Sequence, residues 1–530
     1  MQRVRSSNKR PATLLWVFLF FLSIYIFTAG GHYYSSDGLT VYLVARSIVT
    51  TGSVFIQEID ALPQLAIESG INNSNVPVVL PAQSIMMMPL YFLGNIFTFF
   101  NQSQFSNYLL QLTTSFLNSF ITAFLILFFY IFLRKMDYSK KTAIISSLIL
   151  GLTTIVWPYS KFDFSEPMMT LFLFGGFYWL FAFGKDKKLY QIFLAGTFIG
   201  IAQLTKFSAL IAVGPLLLYY LLVLYADWKE RRDLKKVIAN LAVFGGSILF
   251  FFSGIFIYNI IRFGSLLSTG YSFSPQSTGS GIAEFTYPMI LGIFGLTFSS
   301  GKGFFLYSPT ALLFFLGIRP FLKKNMVPSF IIILMTLVTL AFFSRFIYWH
   351  GDVALGPRYL VYLTPFIMLP VAEAVERFYI KRYLYKSFFS GLVVTGFIVQ
   401  LITISVFYNT YLNRLIDENP GKIGGVNEIT KNVELEAVWY EPKYAPIIGE
   451  LRSLPGRVSN WKRMIQKNEE TLVSEDYSKI FFWFLKDVPD YWWVYFSISK
   501  APKVYLLSLM LPFSVFMYSG YRLLGDVKEK

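Results

Sequence analysis

The chain has no cysteine in its 530 residues. Disulfides, thiolate metal sites and thiol nucleophiles are therefore excluded. It has two histidines, His32 and His350, too few for a His-rich metal site. Charge is scarce: 14% of residues are Asp, Glu, Lys or Arg, where a soluble globular chain carries about 25%. Acidic residues are the scarcer sign, 30 against 46 basic, giving a formal net charge of +16. No internal repeat is evident, although many transporters are built from repeats.

The rest is largely apolar: 55% of the residues are hydrophobic and 19% aromatic. Runs such as 12–29 and 109–133 reach the length of about 20 residues that one bilayer crossing needs. The first run is followed by further runs and lacks a small-residue cleavage site, so it reads as a retained helix rather than a signal peptide. The pattern predicts an all-α polytopic membrane protein with about twelve spans: 12–30, 109–133, 142–157, 167–183, 190–205, 208–225, 237–260, 303–318, 327–347, 358–374, 387–408 and 504–524. Two shorter stretches, 85–100 and 288–298, read as re-entrant or interfacial.

The basic residues orient these spans. With the N-terminus inside, 26 of the 46 Lys and Arg fall in the seven short inner segments, and 7 in the short outer connections. The other 13 lie in 409–503, and a segment of that length translocates largely regardless of charge. This bias places both termini in the cytoplasm and explains the positive charge without nucleic acid. Three parts follow: a membrane module over 1–408 with a large first outer loop at 31–108, an extracytoplasmic segment over 409–503, and a last helix with its tail over 504–530. Within the outer segments, 262–302 is rich in Gly, Ser and Thr, and Asn419-Pro420 and Gly424-Gly425 are turn dipeptides.

Charged groups at membrane depth are costly, so the few at the outer helix ends are the candidates for chemistry. Asp37 leaves the first span and enters a helical stretch, 39–49, that Ser36 can cap; it is either a catalytic carboxylate or a helix-start residue. Asp163 and Glu166 share the aromatic loop 157–167 with Lys161. Paired carboxylates can hold Mg or Mn through oxygen ligands or take a proton from an attacking hydroxyl; the alternative is an aromatic interface belt with Glu166 starting a helix before Pro167. Lys206, Arg262 and Arg358 can bind a phosphate, or snorkel to the interface. Gly301-Lys302-Gly303 lacks the spacing of a nucleotide phosphate loop, and is either a flexible connector or a backbone cradle for a lipid phosphate.

As an ordered set these motifs resemble type C membrane glycosyltransferases, in particular bacterial members of the protein O-mannosyltransferase and aminoarabinose transferase superfamily (glycosyltransferase family 39-like). The resemblance is carried by Asp37…Tyr42…Ala45-Arg46-Ser47…Gly52, Pro89-Leu90-Tyr91-Phe92-Leu93-Gly94, and Trp157-Pro158-Tyr159-Ser160 through Ser165-Glu166-Pro167. It continues in Leu204-Thr205-Lys206, Arg262-Phe263-Gly264-Ser265 with Thr269-Gly270-Tyr271, and Gly301-Lys302-Gly303 leading to Tyr307-Ser308-Pro309. Trp349 and Gly356-Pro357-Arg358-Tyr359-Leu360 complete it, so it covers about residues 12 to 375.

The resemblance implies an enzyme of the bacterial plasma membrane. It would transfer a sugar from a polyprenyl-phosphate donor to a glycan, lipid or protein acceptor on the extracytoplasmic face, with inversion. It implies Asp37 as the catalytic base, Glu166 and Asp163 for positioning the donor phosphate or a divalent cation, and Lys206 and Arg358 for binding the phosphate, with Arg262 kept from the residue reading as a third phosphate candidate. Two positions depart from the pattern: Gly38 stands where relatives often carry a second acidic residue, and 79–84 lacks the lysine often found there. The competing class is a polytopic transporter or flippase for a lipid or polysaccharide, which should bury charges mid-span.

Overall fold

The computed structural model describes residues 10–56, 66–67, 76–99, 106–270, 284–351, 353–380, 383–419, 423, 435–467, 487–498 and 507–528. The Gly/Ser/Thr-rich stretch 271–283, Asp352, Pro420 and Gly424-Gly425 lie outside the described residues.

Among the described residues the architecture is helical, save for a two-residue antiparallel pairing of Ala66–Ile67 with Val76–Pro77. The chain opens with α1 (Arg10–Phe27), then α2 (Ser36–Thr51) and α3 (Ala82–Phe99) in the first large loop, and α4 (Ser106–Ser115), most of which belongs to the apolar span Tyr108–Lys135. The membrane bundle continues with α5 (Leu117–Lys135), α6 (Lys140–Thr153), the one-turn α7 (Val156–Tyr159), α8 (Glu166–Asp186), α9 (Leu189–Thr205), α10 (Leu210–Arg231) and α11 (Leu234–Phe263). After α12 (Met289–Phe298) and the short α13 (Phe304–Tyr307) come α14 (Phe314–Lys324), α15 (Met326–Arg345), α16 (Thr364–Ala374) and α17 (Tyr383–Ser405). A 3-10 turn, Arg358–Leu363, leads directly into α16. The C-terminal part holds α18 (Tyr408–Glu418), α19 (Glu436–Tyr440), α20 (Pro446–Lys467), the short helix Trp492–Ile498 and the last helix Met510–Lys528.

Among the described residues, seven helices are long and apolar enough to cross a membrane, and three shorter apolar helices accompany them. These include 289–298, one of the stretches read as interfacial. The helices differ in how far they face their neighbours. The span Glu166–Asp186 has 83% of its apolar window buried inside the protein and Arg358–Tyr379 has 89%, against 22% for Leu234–Phe263. With no water in a bilayer core, an exposed apolar helix such as α11 is stable against lipid. The two well-buried helices form the centre, and both begin at the same end of the bundle with the charged residues Glu166 and Arg358.

The opposite ends carry the basic residues. Lys135 at the end of α5 pairs with Asp186 at the end of α8 at 2.7 Å, and Lys185 pairs with Asp137 at 2.7 Å. Cations in a last helical turn also complement the helix dipole.

The C-terminal segment closes over the other end. The last carbonyls of α1 have no intrahelical partners, and tryptophans answer them: Trp492 donates its indole N–H to Ile26 and its backbone N–H to Ala29, and Trp493 donates to Phe27. Gly31 follows with a φ of +75°, and a Cβ there would meet Trp492 Cβ at 2.6 Å.

Candidate active site

The site begins at the turn after α1. Ser35 is extended and its hydroxyl accepts from Gly38 N–H at 3.0 Å, capping α2. The cap is Ser35 rather than Ser36, because Ser36 already has its place in the helix. Asp37 therefore sits in the first turn, as expected, with its side chain half exposed.

Arg358 reaches two carboxylates on different elements. Its Nη2 donates to Asp37 Oδ2 at 2.8 Å, and its Nε donates to Glu166 Oε1 at 2.6 Å. Lys206 Nζ donates to the same Glu166 oxygen. Lys206 is at the extended break after α9, and Glu166 is the first residue of α8. Four of the six residues singled out in the sequence thus form one cluster. It carries two positive and two negative groups, and only Asp37 among them opens substantially to solvent. Burial, followed by the neighbouring Arg358, lowers the pKa of the Lys206 ammonium, and Glu166 opposes both effects.

Arg358 is held from behind. Its guanidinium carbon lies 4.0 Å from the centre of the Phe164 ring, a cation–π contact that also fixes its plane. Its hairpin turns at Gly351 and Gly356, both with positive φ, which glycine adopts without strain. Tyr159 O–H donates to Leu355 O, and Lys302 Nζ donates to Ala354 O. The Gly301-Lys302-Gly303 loop is engaged with protein: Gly301 N–H donates to Trp439 O at 2.9 Å, and a Cβ on Gly301 would meet Val438 O at 2.4 Å. This loop docks the hairpin and α19 rather than forming an open phosphate cradle. His350 stacks on Trp439 with 3.6 Å between ring centres, which ties α19 to the same hairpin.

Asp163 faces backbone. Its Oδ2 accepts from Tyr34 N–H at 2.9 Å and Ser35 N–H at 3.2 Å, and its Oδ1 accepts from the Ser35 hydroxyl at 3.0 Å. Burial pushes its carboxyl up to about 7, against the pull of those donors. Gln83, from the stretch without lysine, donates to the carbonyls of Asp163 and Phe164. A Cβ on Gly38 would lie 1.9 Å from Asp163 Oδ2. Gly38 therefore leaves the room that Asp163 fills.

Gly38→Ala is expected to destabilise the protein by roughly 1–3 kcal/mol through overpacking. Most of that loss should vanish in the Gly38→Ala, Asp163→Ala double variant relative to Asp163→Ala alone. A double-mutant cycle on thermal or denaturant midpoints reads the coupling.

Arg262 is placed elsewhere. It donates to Pro77 O and Val79 O from Nη1 and to Asn259 Oδ1 from Nη2, and it stacks on Tyr258 at 3.9 Å. The structure does not bring it to the cluster; it anchors the 77–79 stretch of the first loop.

The pair Asp163 and Glu166 does not fit a divalent cation. Among the described residues no three His, Cys, Asp or Glu side chains converge as metal ligands. Asp163 is turned to three protein donors, and Glu166 Oε1 is shared by two cationic side chains.

Sequence reading missed Asp490. This buried carboxylate accepts from His32 Nε2 at 2.8 Å, Tyr34 O–H at 2.7 Å, Tyr495 O–H at 2.9 Å and Lys161 Nζ at 2.9 Å. The available signal was weak: Asp490 follows a proline and leads into the aromatic run Tyr491-Trp492-Trp493.

Residues 88–272 match the family model described as dolichyl-phosphate-mannose-protein mannosyltransferase. The matched stretch contains Asp163, Glu166, Lys206 and Arg262, but neither Asp37 nor Arg358. No curated protein sequence matches. Among solved structures, the chain is similar to ArnT from Cupriavidus metallidurans bound to undecaprenyl phosphate, with 13% identity, a TM-score of 0.47, and coverage of 97% of this chain and 89% of that one. It is also similar to the apo oligosaccharyltransferase of Archaeoglobus fulgidus, with 12% identity, a TM-score of 0.44, and coverage of 79% and 59%. AglB from the same organism, in complex with an inhibitory peptide and a dolichol phosphate, has 12% identity, a TM-score of 0.40, and coverage of 91% and 61%.

Proposed function

We propose that this polytopic membrane protein, similar over residues 88–272 to the dolichyl-phosphate-mannose-protein mannosyltransferases, transfers a sugar from a polyprenyl-phosphate donor to an acceptor hydroxyl or amine on the extracytoplasmic face. The observation that carries this reading is the ion-paired cluster of Asp37, Arg358, Glu166 and Lys206 at one end of the two central helices.

The cluster suits a reaction in which a phosphate leaves. Glu166 is buried and stays on Arg358 Nε and Lys206, so it fixes both cations in place. Asp37 is the exchangeable partner, since its side chain is half exposed. A donor phosphate arriving at the free side of Arg358 competes with Asp37 for Nη2, because a guanidinium pairs readily with either oxyanion. Binding of the donor then releases the Asp37 carboxylate beside the anomeric carbon.

The acceptor's oxygen or nitrogen attacks that carbon from the face opposite the phosphate. Its bond to the carbon forms as the carbon–oxygen bond to phosphate breaks, and the configuration inverts. Asp37 takes the acceptor's proton. The bond electrons leave on the phosphate oxygen, whose growing charge Arg358 and Lys206 meet as preorganised electrostatics. No separate acid is required, because the leaving phosphate remains an anion. Aromatic packing around the loop 157–167 limits water, whose attack would hydrolyse the donor.

The test is cleavage of a panel of polyprenyl-phosphate sugars by the protein reconstituted in proteoliposomes. Release of sugar-free polyprenyl phosphate, dependent on an acceptor or on water, is the expected result. Movement of intact donor across the bilayer without cleavage would replace this reading with that of a transporter.

A further inference from the structure

The turn that delivers Asp37 and the loop that delivers Glu166 meet at a third element, and that meeting is buried. Asp490 is fully enclosed, together with His32, and Lys161 is nearly so. Its carboxylate accepts from His32 Nε2 and Tyr34 O–H, both on the turn between α1 and α2. It also accepts from Lys161 Nζ, on the loop between α7 and α8. Lys161 Nζ donates further to the Asp490 backbone carbonyl at 2.7 Å and to Ile404 O at 2.8 Å. Asp490 N–H donates to Ser405 O at 2.9 Å, which fixes the peptide itself to the end of α17.

These contacts lie directly behind the site. Tyr34 is the residue whose N–H reaches Asp163, and its neighbour Ser35 caps the helix that carries Asp37. Lys161 leads through Asp163 and Phe164, the ring under Arg358, to Glu166. A buried carboxylate with donors from both strands of a junction fixes their spacing, because moving either strand leaves a charge or a donor unpaired. Burial alone would raise its pKa, but Lys161, His32 and Tyr34 together hold it below the ordinary carboxylate range. It remains an acceptor for all four donors across the physiological range.

We infer that Asp490, supplied by the C-terminal segment, is a positioning residue that sets the placement of Asp37 relative to Glu166 and Arg358. This rests on the function proposed above in so far as catalysis is the readout. The C-terminal segment then completes the active site from behind, without touching donor or acceptor.

The test compares Asp490→Asn with wild type in proteoliposomes and by hydrogen exchange in detergent. The turnover number for donor cleavage, normalised to bound sugar-free polyprenyl phosphate, should fall at least tenfold in Asp490→Asn. The KM for donor and the Kd for polyprenyl phosphate should stay within about twofold, because Arg358 and Lys206 keep their Glu166 anchor. Amide exchange over residues 31–40 should speed up while α8 is unchanged. Tyr34→Phe removes one donor and keeps the ring; it should show a smaller effect of the same kind, and it carries the test if Asp490→Asn does not fold. Wild-type turnover in both variants would overturn the inference. A wild type that cleaves no donor would refute the proposed function instead; the positioning role would then stand on faster exchange over 31–40 and fall if exchange were unchanged.

Discussion

Asp37→Asn should lower donor cleavage and transfer by about 10²–10⁴-fold, the range a positioned general base contributes. The effect on binding has the opposite sign. In the resting structure Asp37 holds Arg358 Nη2 at 2.8 Å, and an incoming phosphate must displace it. An asparagine in its place holds the guanidinium less strongly, so sugar-free polyprenyl phosphate should bind the variant as tightly as wild type or more tightly. Turnover and lipid-phosphate affinity measured on the same preparations check both halves. A variant with wild-type turnover would remove Asp37 from the chemistry.

The second large effect concerns Glu166. Its oxygen is shared by Lys206 and Arg358, and its side chain is 1% exposed. Glu166→Gln keeps the shape and removes the charge, leaving two buried cations side by side. Breaking a buried ion pair from one side costs about 3–5 kcal/mol, so a clear fall in the thermal midpoint is expected. Sugar-free polyprenyl phosphate supplies a replacement anion and should stabilise Glu166→Gln more than it stabilises wild type, because a ligand stabilises according to its affinity for the folded state. A wild-type midpoint in the variant, or no added response to polyprenyl phosphate, would contradict the arrangement.

The residues of this cluster were legible in the sequence for local reasons. Asp37, Glu166, Lys206 and Arg358 are ionisable groups at the ends of long apolar runs, where a charge needs a reason to be. Helix-start chemistry placed Asp37 in a first turn, and the serine that caps it was misread by one residue because Ser35 and Ser36 are adjacent and chemically equal. The apolar pattern likewise delivered the helices, because a bilayer forces every backbone polar group to pair within its own segment.

What stayed hidden was direction and distance. Arg262 has the same local signature as Arg358, a cation at a helix end. Which way each guanidinium turns is decided by partners far along the chain: Pro77 for Arg262, Asp37 and Glu166 for Arg358. Asp163 looked like the second half of a carboxylate pair, yet its partners are the amides of Tyr34 and Ser35 on another loop. Gly38, a departure from the family pattern when read alone, makes room for that carboxylate. Asp490 had no local signal strong enough to single it out, since three of its four donors, His32, Tyr34 and Lys161, lie hundreds of residues before it.

On the proposed function, Arg358 and Lys206 receive the phosphate of a polyprenyl-linked donor. Binding of sugar-free polyprenyl phosphate to wild type, Arg358→Ala and Lys206→Met in nanodiscs measures this role. Saturable binding to wild type is expected, weakened at least tenfold in Arg358→Ala and measurably in Lys206→Met, with Arg262→Met unchanged if it still folds. Wild-type affinity in both Arg358→Ala and Lys206→Met would move the phosphate away from this cluster.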